Sequence, residues 1–421
     1  MRRVARSFTR GKLGELLRSR RRLEVENRRG EIKLNLWFNL TENRLKILIT
    51  SGLAYLKDGP VKGANIGVKE SRVEAITKEI PPDFEDAELQ IGGKDRIVSP
   101  GFVTTHTYLS LYPFRYSLVS GKLNVNDLVS VLTPKDIYSL SLLASYHLLR
   151  SGVTAAVTAD PSPESAARAM MSVGLKPFLA VGVGCNWGPS DWKREFKVLR
   201  ERWGGPEGRV LLKICDQQEL EEALHVASEA RVPVLLDRLV TLEGISQVPN
   251  YTTALGGGSR QDLEAVKRLG AGLSFLPSME VCKFTLGSFS PSISLDASLR
   301  YDARVELGFA ISRLTLTPDE AFKALTSWGY QALGIKGSLE VGAVPDLVVF
   351  QVGEPPSYPL DRSSPYETLI FSTGVPETVI VGGEPVLDGG VPLNVGIKDI
   401  EEAEEVVQEI AGKRISSLEK G

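Results

Sequence analysis

The spacing of apolar and polar residues follows two different patterns along the chain. From Leu45 to about residue 97, short runs with a two-residue period are separated by the turn sequences Asp58-Gly59-Pro60 and Glu70-Ser71. This pattern predicts an antiparallel β-meander. A similar pattern returns from residue 337, and a charged amphipathic helix is predicted at about 398–413.

Between these two stretches, strand-like apolar runs alternate with amphipathic helical stretches. Helix starts are indicated where Thr133 and Thr317 are each followed by a proline and then an acid, and Gly152 and Gly334 stand at expected helix ends. This alternation predicts parallel strands joined by helices, and so an α/β fold with a (β/α)8 TIM-type barrel. The predicted strands cover residues 101–105, 154–158, 177–183, 210–214, 232–236, 251–255 and 272–276.

These two patterns, together with the basic N-terminus and the predicted C-terminal helix, divide the chain into five segments. Because β segments flank the barrel on both sides, we expect one small β-sandwich domain built from both chain ends. The stretch between Leu276 and Leu286 is short for a helix, so the barrel is expected to be degenerate near strands seven and eight. The segments are a basic N-terminal extension (1–44), the N-terminal sandwich segment (45–97), the barrel (98–335), the C-terminal sandwich segment (336–395) and a C-terminal helix (396–421).

Composition narrows the class of protein. The 421 residues carry a formal net charge of −2, which gives the body of the protein no reason to bind a strongly charged partner. No apolar run is long enough to span a bilayer, and the N-terminus lacks the apolar core of a signal peptide, so no membrane association is expected. The three cysteines (Cys185, Cys215 and Cys282) are far apart and suggest no disulfide framework. We therefore expect a cytoplasmic protein.

Residues 1–44 are rich in arginine and lysine. Such clusters neutralise phosphates, so a tether to nucleic acid is one hypothesis. A solvated extension is the simpler interpretation, because Phe8 is the only aromatic residue among the first 29.

Histidine is scarce, with three in the chain: His106, His147 and His225. Enzymes that hold a transition metal in a barrel commonly use several histidines for ligation. His147 and His225 lie in predicted helices, where ordinary helix positions explain them. His106 alone lies in a predicted barrel strand.

Three segments resemble one known family. They are Ser99-Pro100-Gly101-Phe102-Val103-Thr104-Thr105-His106-Thr107-Tyr108-Leu109, the stretch from Leu316 to Val349 with Gly337-Ser338-Leu339-Glu340-Val341-Gly342, and the stretch 364–383. They are similar to the amidohydrolase superfamily, in its branch of chlorohydrolases, S-adenosylhomocysteine deaminases and cytosine deaminases. The resemblance implies a TIM-type barrel with a flanking β-sandwich and, from the habits of the family, a homo-oligomer.

The same resemblance implies where a metal site would lie. The family uses two histidines on strand one, one on strand five, commonly one on strand six, and an aspartate at the end of strand eight. Here His106 takes the first histidine position, Tyr108 the second, Asp237 the strand-five position and Phe289 the strand-eight position. The metal candidates reduce to His106 and Asp237, so we expect no cofactor beyond, at most, one divalent ion such as zinc or iron.

Other residues near predicted strand ends have two interpretations each. Lys213 ends strand four, where a packed lysine is the ordinary interpretation and a carboxylated, metal-bridging lysine is the one that some branches of the family imply. Gly256-Gly257-Gly258-Ser259 could hold a phosphate or form a plain turn. Trp187 could line a pocket or pack against a helix.

Three functions stay open. The preferred interpretation is a catalytically degenerate family member, a pseudoenzyme that binds a small molecule at the barrel or assembles with a protein partner. The alternative is an active metal-dependent hydrolase or deaminase that acts on non-peptide C–N bonds with His106, Asp237 and further ligands such as Asp160 or Asp216. A third hypothesis is a barrel tethered to nucleic acid by its N-terminal arm.

Overall fold

The computed structural model describes residues 45–415, apart from 205–208, 257–259, 281–288, 297, 354, 356, 358 and 373. The N-terminal extension, 1–44, lies outside the described residues. The nucleic-acid hypothesis therefore stays a prediction.

The N-terminal and C-terminal β-rich stretches of the described residues form one eight-stranded mixed sheet. Its first strands are β1 (Ile47–Leu56), β2 (Gly59–Lys69), β3 (Arg72–Thr77) and β4 (Leu89–Pro100). β1, β2 and β3 form the predicted antiparallel meander, while β4 runs parallel to β1. The antiparallel pairing of β4 with a strand from the C-terminal region, described below, joins the two β-rich stretches of the chain.

The central region of the chain forms an eight-stranded parallel barrel sheet, whose strands neighbour one another in sequence order. The strands are β5 (Phe102–Thr107), β6 (Val153–Thr158), β7 (Lys176–Val183), β8 (Val210–Ile214), β9 (Val234–Leu236), β10 (Thr252–Leu255), β11 (Gly272–Phe275) and β12 (Ser292–Ile293). The seven predicted strands are confirmed, and β12 is the eighth. β5 to β8 contain five to eight residues each, but β9 to β12 contain only two to four.

Helices cover the outside of this barrel. In chain order they are α1 (Arg115–Val119), α2 (Val125–Ser130), α3 (Pro134–Arg150), α4 (Pro163–Val173), α5 (Trp192–Trp203), α6 (Leu220–Ala230), α7 (Arg260–Leu269), α8 (Ala303–Arg313), α9 (Pro318–Leu325) and α10 (Ser327–Ala332). Thr133 and Thr317 form the predicted capping boxes. Gly152 follows α3 with a φ of 93°, which glycine adopts without strain, so the chain turns there into β6.

The C-terminal region completes the first sheet. It contains β13 (Leu347–Gln351), α11 (Pro365–Phe371), β14 (Val375–Val381), β15 (Glu384–Asp388), β16 (Val391–Pro392) and α12 (Ile397–Glu409). β13 is the strand that pairs with β4. α12 packs against α3 of the barrel. No helix in the described residues is both long and apolar enough to cross a membrane.

The barrel closes between β12 and β5 through a few hydrogen bonds rather than a full strand ladder. The backbone N–H groups of Leu295 and Asp296 donate to the His106 carbonyl oxygen at 3.0 and 3.2 Å. The Thr105 hydroxyl bonds to the hydroxyls of Ser274 and Ser292. Residues 281–288, between β11 and β12, lie outside the described residues, so the expected degeneracy near strands seven and eight stays a prediction.

Candidate functional site at the barrel mouth

Four ionisable side chains meet at the carboxyl ends of barrel strands, which we call the barrel mouth. His106 lies near the end of β5 and Lys213 near the end of β8. Asp237 directly follows β9, and Asp296 follows β12 by three residues. Because the carboxyl ends of parallel strands lie on one face of a barrel, residues far apart in sequence come together here.

His106 and Asp296 form a pair. Nδ1 of His106 lies 3.4 Å from Oδ1 of Asp296, and both ring nitrogens are buried and lack a hydrogen bond of normal geometry among the described residues. The His106 side chain is 2% exposed. The Tyr301 hydroxyl donates to the backbone oxygen of Asp296 or of Tyr108, at 2.5 and 2.7 Å, and so holds both segments.

Lys213 forms the second pair, with Asp237. Its Nζ lies 3.3 Å from Oδ2 of Asp237 and donates a hydrogen bond to the Tyr108 hydroxyl. The same ammonium lies 4.7 Å from the centre of the Tyr108 ring. The Lys213 side chain is only 4% exposed, so the ion pair is shielded on the lysine side. A buried cation is stable only with such partners.

Arg238 connects two further carboxylates at the rim. Its guanidinium lies 2.7 Å from Oε1 of Glu280 and 3.3 Å from Oδ2 of Asp296. Asp237, Asp296 and Glu280 therefore each contact the side chain of Lys213 or Arg238.

These contacts shift the protonation of the site. Burial lowers the pKa of His106, and the charge of Lys213 lowers it further against the opposing effect of Asp296. Burial alone would raise the pKa of Asp296, but His106, Lys213 and Arg238 together lower it to about 2. The pKa of Lys213 is lowered overall, because burial outweighs the carboxylates of Asp237 and Asp296, which raise it. At neutral pH the site thus holds a neutral imidazole beside an ionised Asp296.

A cavity of about 230 Å³ opens beside Lys213. Tyr108, Asp160, Trp187 and Lys213 are among the residues that line it, and Trp187 contacts the Tyr108 ring edge-on, with the ring centres 5.6 Å apart. Tyr108 also packs edge-on against His106, which is not part of the cavity wall. The cavity is large enough for a small molecule beside these two rings and the Lys213 ammonium.

A disulfide between Cys185 and Cys215 joins the loops that follow β7 and β8, at the edge of this cavity. The expectation that the cysteines suggest no disulfide was therefore wrong. The two residues are 30 positions apart in sequence, a spacing that carries no signal, but the ends of neighbouring parallel strands bring them together.

The expected position of Phe289 was also wrong. β12 pairs with β11 through Ser292 and Ile293, so Phe289 precedes the eighth strand and packs against the main hydrophobic core. Asp296 lies instead at the end of this strand. The signal that could have identified it is the alternation Ser292-Ile293-Ser294-Leu295, a short strand pattern followed directly by an acid.

The other candidate residues have structural partners. Both oxygens of Asp160 accept backbone N–H groups, of Leu109 and Ser110, and Asp216 caps the 3-10 turn Gln217–Glu219. Nε2 of His147 lies 2.9 Å from the Arg300 carbonyl oxygen. His225 is 71% exposed on α6. Residues 257–259 of the glycine-rich turn lie outside the described residues.

The donor set does not fit a divalent metal ion. No group of three or more His, Cys, Asp or Glu side chains with metal-binding geometry occurs in the region that the structure describes. Zinc sites take at least three such ligands. At the barrel mouth, moreover, the Lys213 ammonium already contacts Asp237, and like charge repels a metal ion.

Comparison with known proteins identifies relatives over most of the chain. No family model matches. The 5'-deoxyadenosine deaminase of Methanococcus maripaludis (strain C5) is 24% identical over 423 residues, 85% of this chain and 99% of the relative. A 5-methylthioadenosine/S-adenosylhomocysteine deaminase of Dictyoglomus turgidum is 21% identical over 82% of this chain and 94% of the relative.

Solved structures show the same fold. A zinc-bound adenosine deaminase from Xanthomonas campestris superimposes with a TM-score of 0.73 at 18% identity, over 87% of this chain and 99% of that chain. A variant of atrazine chlorohydrolase from Arthrobacter aurescens has a TM-score of 0.72 at 14% identity, over 86% of this chain and all of that one.

Proposed function

Because the chain is a divergent member of the amidohydrolase superfamily, we propose that it hydrolyses a non-peptide C–N bond in a small planar molecule bound at the barrel mouth. The observation that carries this proposal is the His106–Asp296 pair beside the buried Lys213 ammonium. Since the curated relatives are named as deaminases of adenosine compounds, aminopurine nucleosides are the first substrates to test.

In this proposal His106 is the general base. Its lowered pKa leaves the imidazole neutral at pH 7, and Nε2, which is buried and has no hydrogen-bond partner among the described residues, takes a proton from a water molecule that enters when the site opens. Asp296 at Nδ1 orients the ring and stabilises the protonated imidazole, as the acid of a catalytic triad does. The reaction also requires Tyr108 to move, because its ring packs against His106 and lines the cavity.

The proposed reaction exchanges an amino group for oxygen. The water oxygen adds to the carbon that carries the amino group, while one water proton passes to Nε2 of His106. That proton then passes to the amino nitrogen, the C–N bond breaks, and ammonia leaves. The oxygen stays in the product as a carbonyl, and the second water proton, released as the carbonyl forms, passes to the ring nitrogen next to that carbon. No step passes through a metal ion.

Lys213 stabilises the charge that develops during the addition. The negative charge of the intermediate builds on the substrate atom that faces the cavity wall, where the ammonium is fixed in advance by Asp237 and Tyr108. A preorganised positive charge in a site that excludes water lowers the barrier strongly.

A second candidate is ligand binding without turnover. Tyr108 stands where the resemblance implies a histidine, and His106 does not line the cavity. In this case the aromatic cavity would hold a small molecule and the barrel would act as a binding protein.

Ammonia release distinguishes the two candidates. The substrates are adenosine, 5'-deoxyadenosine, 5'-methylthioadenosine and S-adenosylhomocysteine, each with the full-length protein. We expect turnover of at least one, unchanged in the control His225→Ala and reduced about 10²- to 10⁴-fold in His106→Ala. Binding without ammonia release, measured by calorimetry on the same compounds, would favour the second candidate. Equal activity in both variants would remove His106 from the mechanism.

A further inference from the structure

We propose that Lys213 is a built-in cation that takes the place of a divalent metal at the barrel mouth, so that this chain requires no metal ion. The inference rests on the proposed function in one respect: the ammonium supplies the positive charge that the hydrolysis needs.

The first argument is position. Nζ of Lys213 is held by Asp237 from β9 and by the hydroxyl of Tyr108, which directly follows β5. Its electrostatic effect reaches His106 on β5 and Asp296 after β12 as well. The ammonium therefore interacts with side chains from three other strand ends, the arrangement expected of a central cation.

The second argument is charge. Lys213 neutralises Asp237, and Arg238 bridges Asp296 and Glu280. Oxygen ligands that already face a fixed cation are poor ligands for a second one, because the two cations repel each other. A metal ion could enter only by displacing the ammonium.

The third argument is burial. The Lys213 side chain is 4% exposed, so it cannot swing into solvent to vacate its position without opening the cavity wall that it forms. The side chain is long and unbranched, and its four-carbon stem is anchored within the strand β8, which fixes where the ammonium can lie. The lysine is thus a permanent component of the site.

The test compares the wild-type protein with Lys213→Met, which keeps the length of the side chain and removes its charge. The matched control is Lys193→Met, an exposed lysine on α5 that pairs with Glu222. Each protein is incubated with ZnCl2 or CoCl2, freed of unbound metal by gel filtration, and examined for metal content by elemental mass spectrometry and for the midpoint of thermal unfolding.

We expect the wild type and Lys193→Met to retain far less than one metal ion per chain and to show no metal-dependent shift. Lys213→Met should unfold at a lower temperature and bind zinc or cobalt at least about tenfold more tightly than the wild type, with a rise in its midpoint. Where Lys213→Met does not fold, Lys213→Gln replaces it, because its neutral amide can still donate a hydrogen bond to Asp237, and the same gain in metal affinity is expected.

Stoichiometric metal in the wild type would overturn this inference, as would a zinc affinity unchanged by Lys213→Met. These outcomes are separate from those of the ammonia assay. A metal-free wild type that releases no ammonia refutes the proposed hydrolysis and leaves the built-in cation standing. A wild type that releases ammonia and carries one metal ion per chain supports the proposed hydrolysis and refutes the built-in cation.

Discussion

The two halves of the barrel differ in how completely they are built. β5 to β8 are the longer strands, and each is separated from the next by at least one helix. The disulfide Cys185–Cys215 joins the loops that follow β7 and β8. β9 to β12 are short, and no helix separates β9 from β10 or, among the described residues, β11 from β12. Yet each pair at the site takes one member from each half: His106 with Asp296, and Lys213 with Asp237.

The two halves of the barrel therefore contribute differently to the packed core and to the site. The longer half supplies more of the barrel's packed core than the shorter half, and the shorter half positions Asp296 and Asp237, which oppose the lowering of the pKa of His106 and Lys213 by burial. Changes in the longer half should therefore act mainly on stability, and changes in the shorter half mainly on the site.

The largest effect is expected from Asp296→Asn in the shorter half. Loss of the carboxylate removes the group that orients the His106 imidazole, so kcat/KM should fall about 10³-fold, or about 4 kcal/mol in transition-state stabilisation. Phe289→Ala is the matched control, since Phe289 precedes the strand and packs in the core. Its kcat/KM should stay within a few-fold of wild type. A larger loss in Phe289→Ala than in Asp296→Asn would restore Phe289 to the strand-eight position.

The second effect concerns the disulfide in the longer half. A cross-link that closes a loop of 30 residues stabilises the folded state by about 3.5 kcal/mol, mainly by restricting the unfolded chain. Cys185→Ser/Cys215→Ser should lose about this free energy of unfolding in a denaturant titration. Cys282→Ser serves as the control. A reducing agent should bring the wild type to the stability of the double variant, and equal stability with and without reductant would mean that the bond does not form.

A third pair of substitutions compares the two halves directly. Leu212 on β8 and Leu273 on β11 are both buried in the main core. We expect Leu212→Ala to cost about 3 kcal/mol and Leu273→Ala about 2 kcal/mol, because a shorter strand with fewer covering elements relaxes more easily around the cavity. Urea unfolding measures both values. The reverse order would show that the shorter half is the more tightly packed.

The smallest effect is a pH dependence. Since the pKa of Asp296 is lowered to about 2 from an ordinary value near 3.8, its ionised form stabilises the fold above about pH 4. This contribution, about 2 kcal/mol, is lost as the pH falls from about 4 to about 2. Other carboxylates also titrate in this range, so the measurement is the difference in unfolding free energy between wild type and Asp296→Asn. A difference that stays constant below pH 4 would contradict the lowered pKa.

Sequence patterns predicted the longer half of the barrel well. Its strands are apolar runs bounded by glycine or proline, and the capping residues Thr133 and Thr317 mark helix starts that tertiary contacts do not override. β12, with two residues, is too short to stand out by periodicity, and the resemblance to a family motif placed Phe289 where Asp296 belongs.

The site itself was predicted only partially. His106, Tyr108 and Asp237 were predicted as site residues because they stand where the resemblance to the amidohydrolase superfamily implies metal ligands. The role of Lys213 depends on a contact with Asp237 across two neighbouring strands, and the Cys185–Cys215 bond likewise depends on strand neighbours. Such pairs become visible only when the order of strands in the sheet is known.

The few hydrogen bonds that close the barrel between β12 and β5 form a seam. The backbone N–H of Asp296 bonds across it to the carbonyl oxygen of His106, and the side chain of Asp296 meets the imidazole of the same residue. Asp296 therefore helps to close the barrel through its backbone and contacts the His106 imidazole through its side chain. If the barrel opened between β12 and β5, His106 and Asp296 would no longer be adjacent, so the proposed hydrolysis requires a barrel that is closed to its last strand.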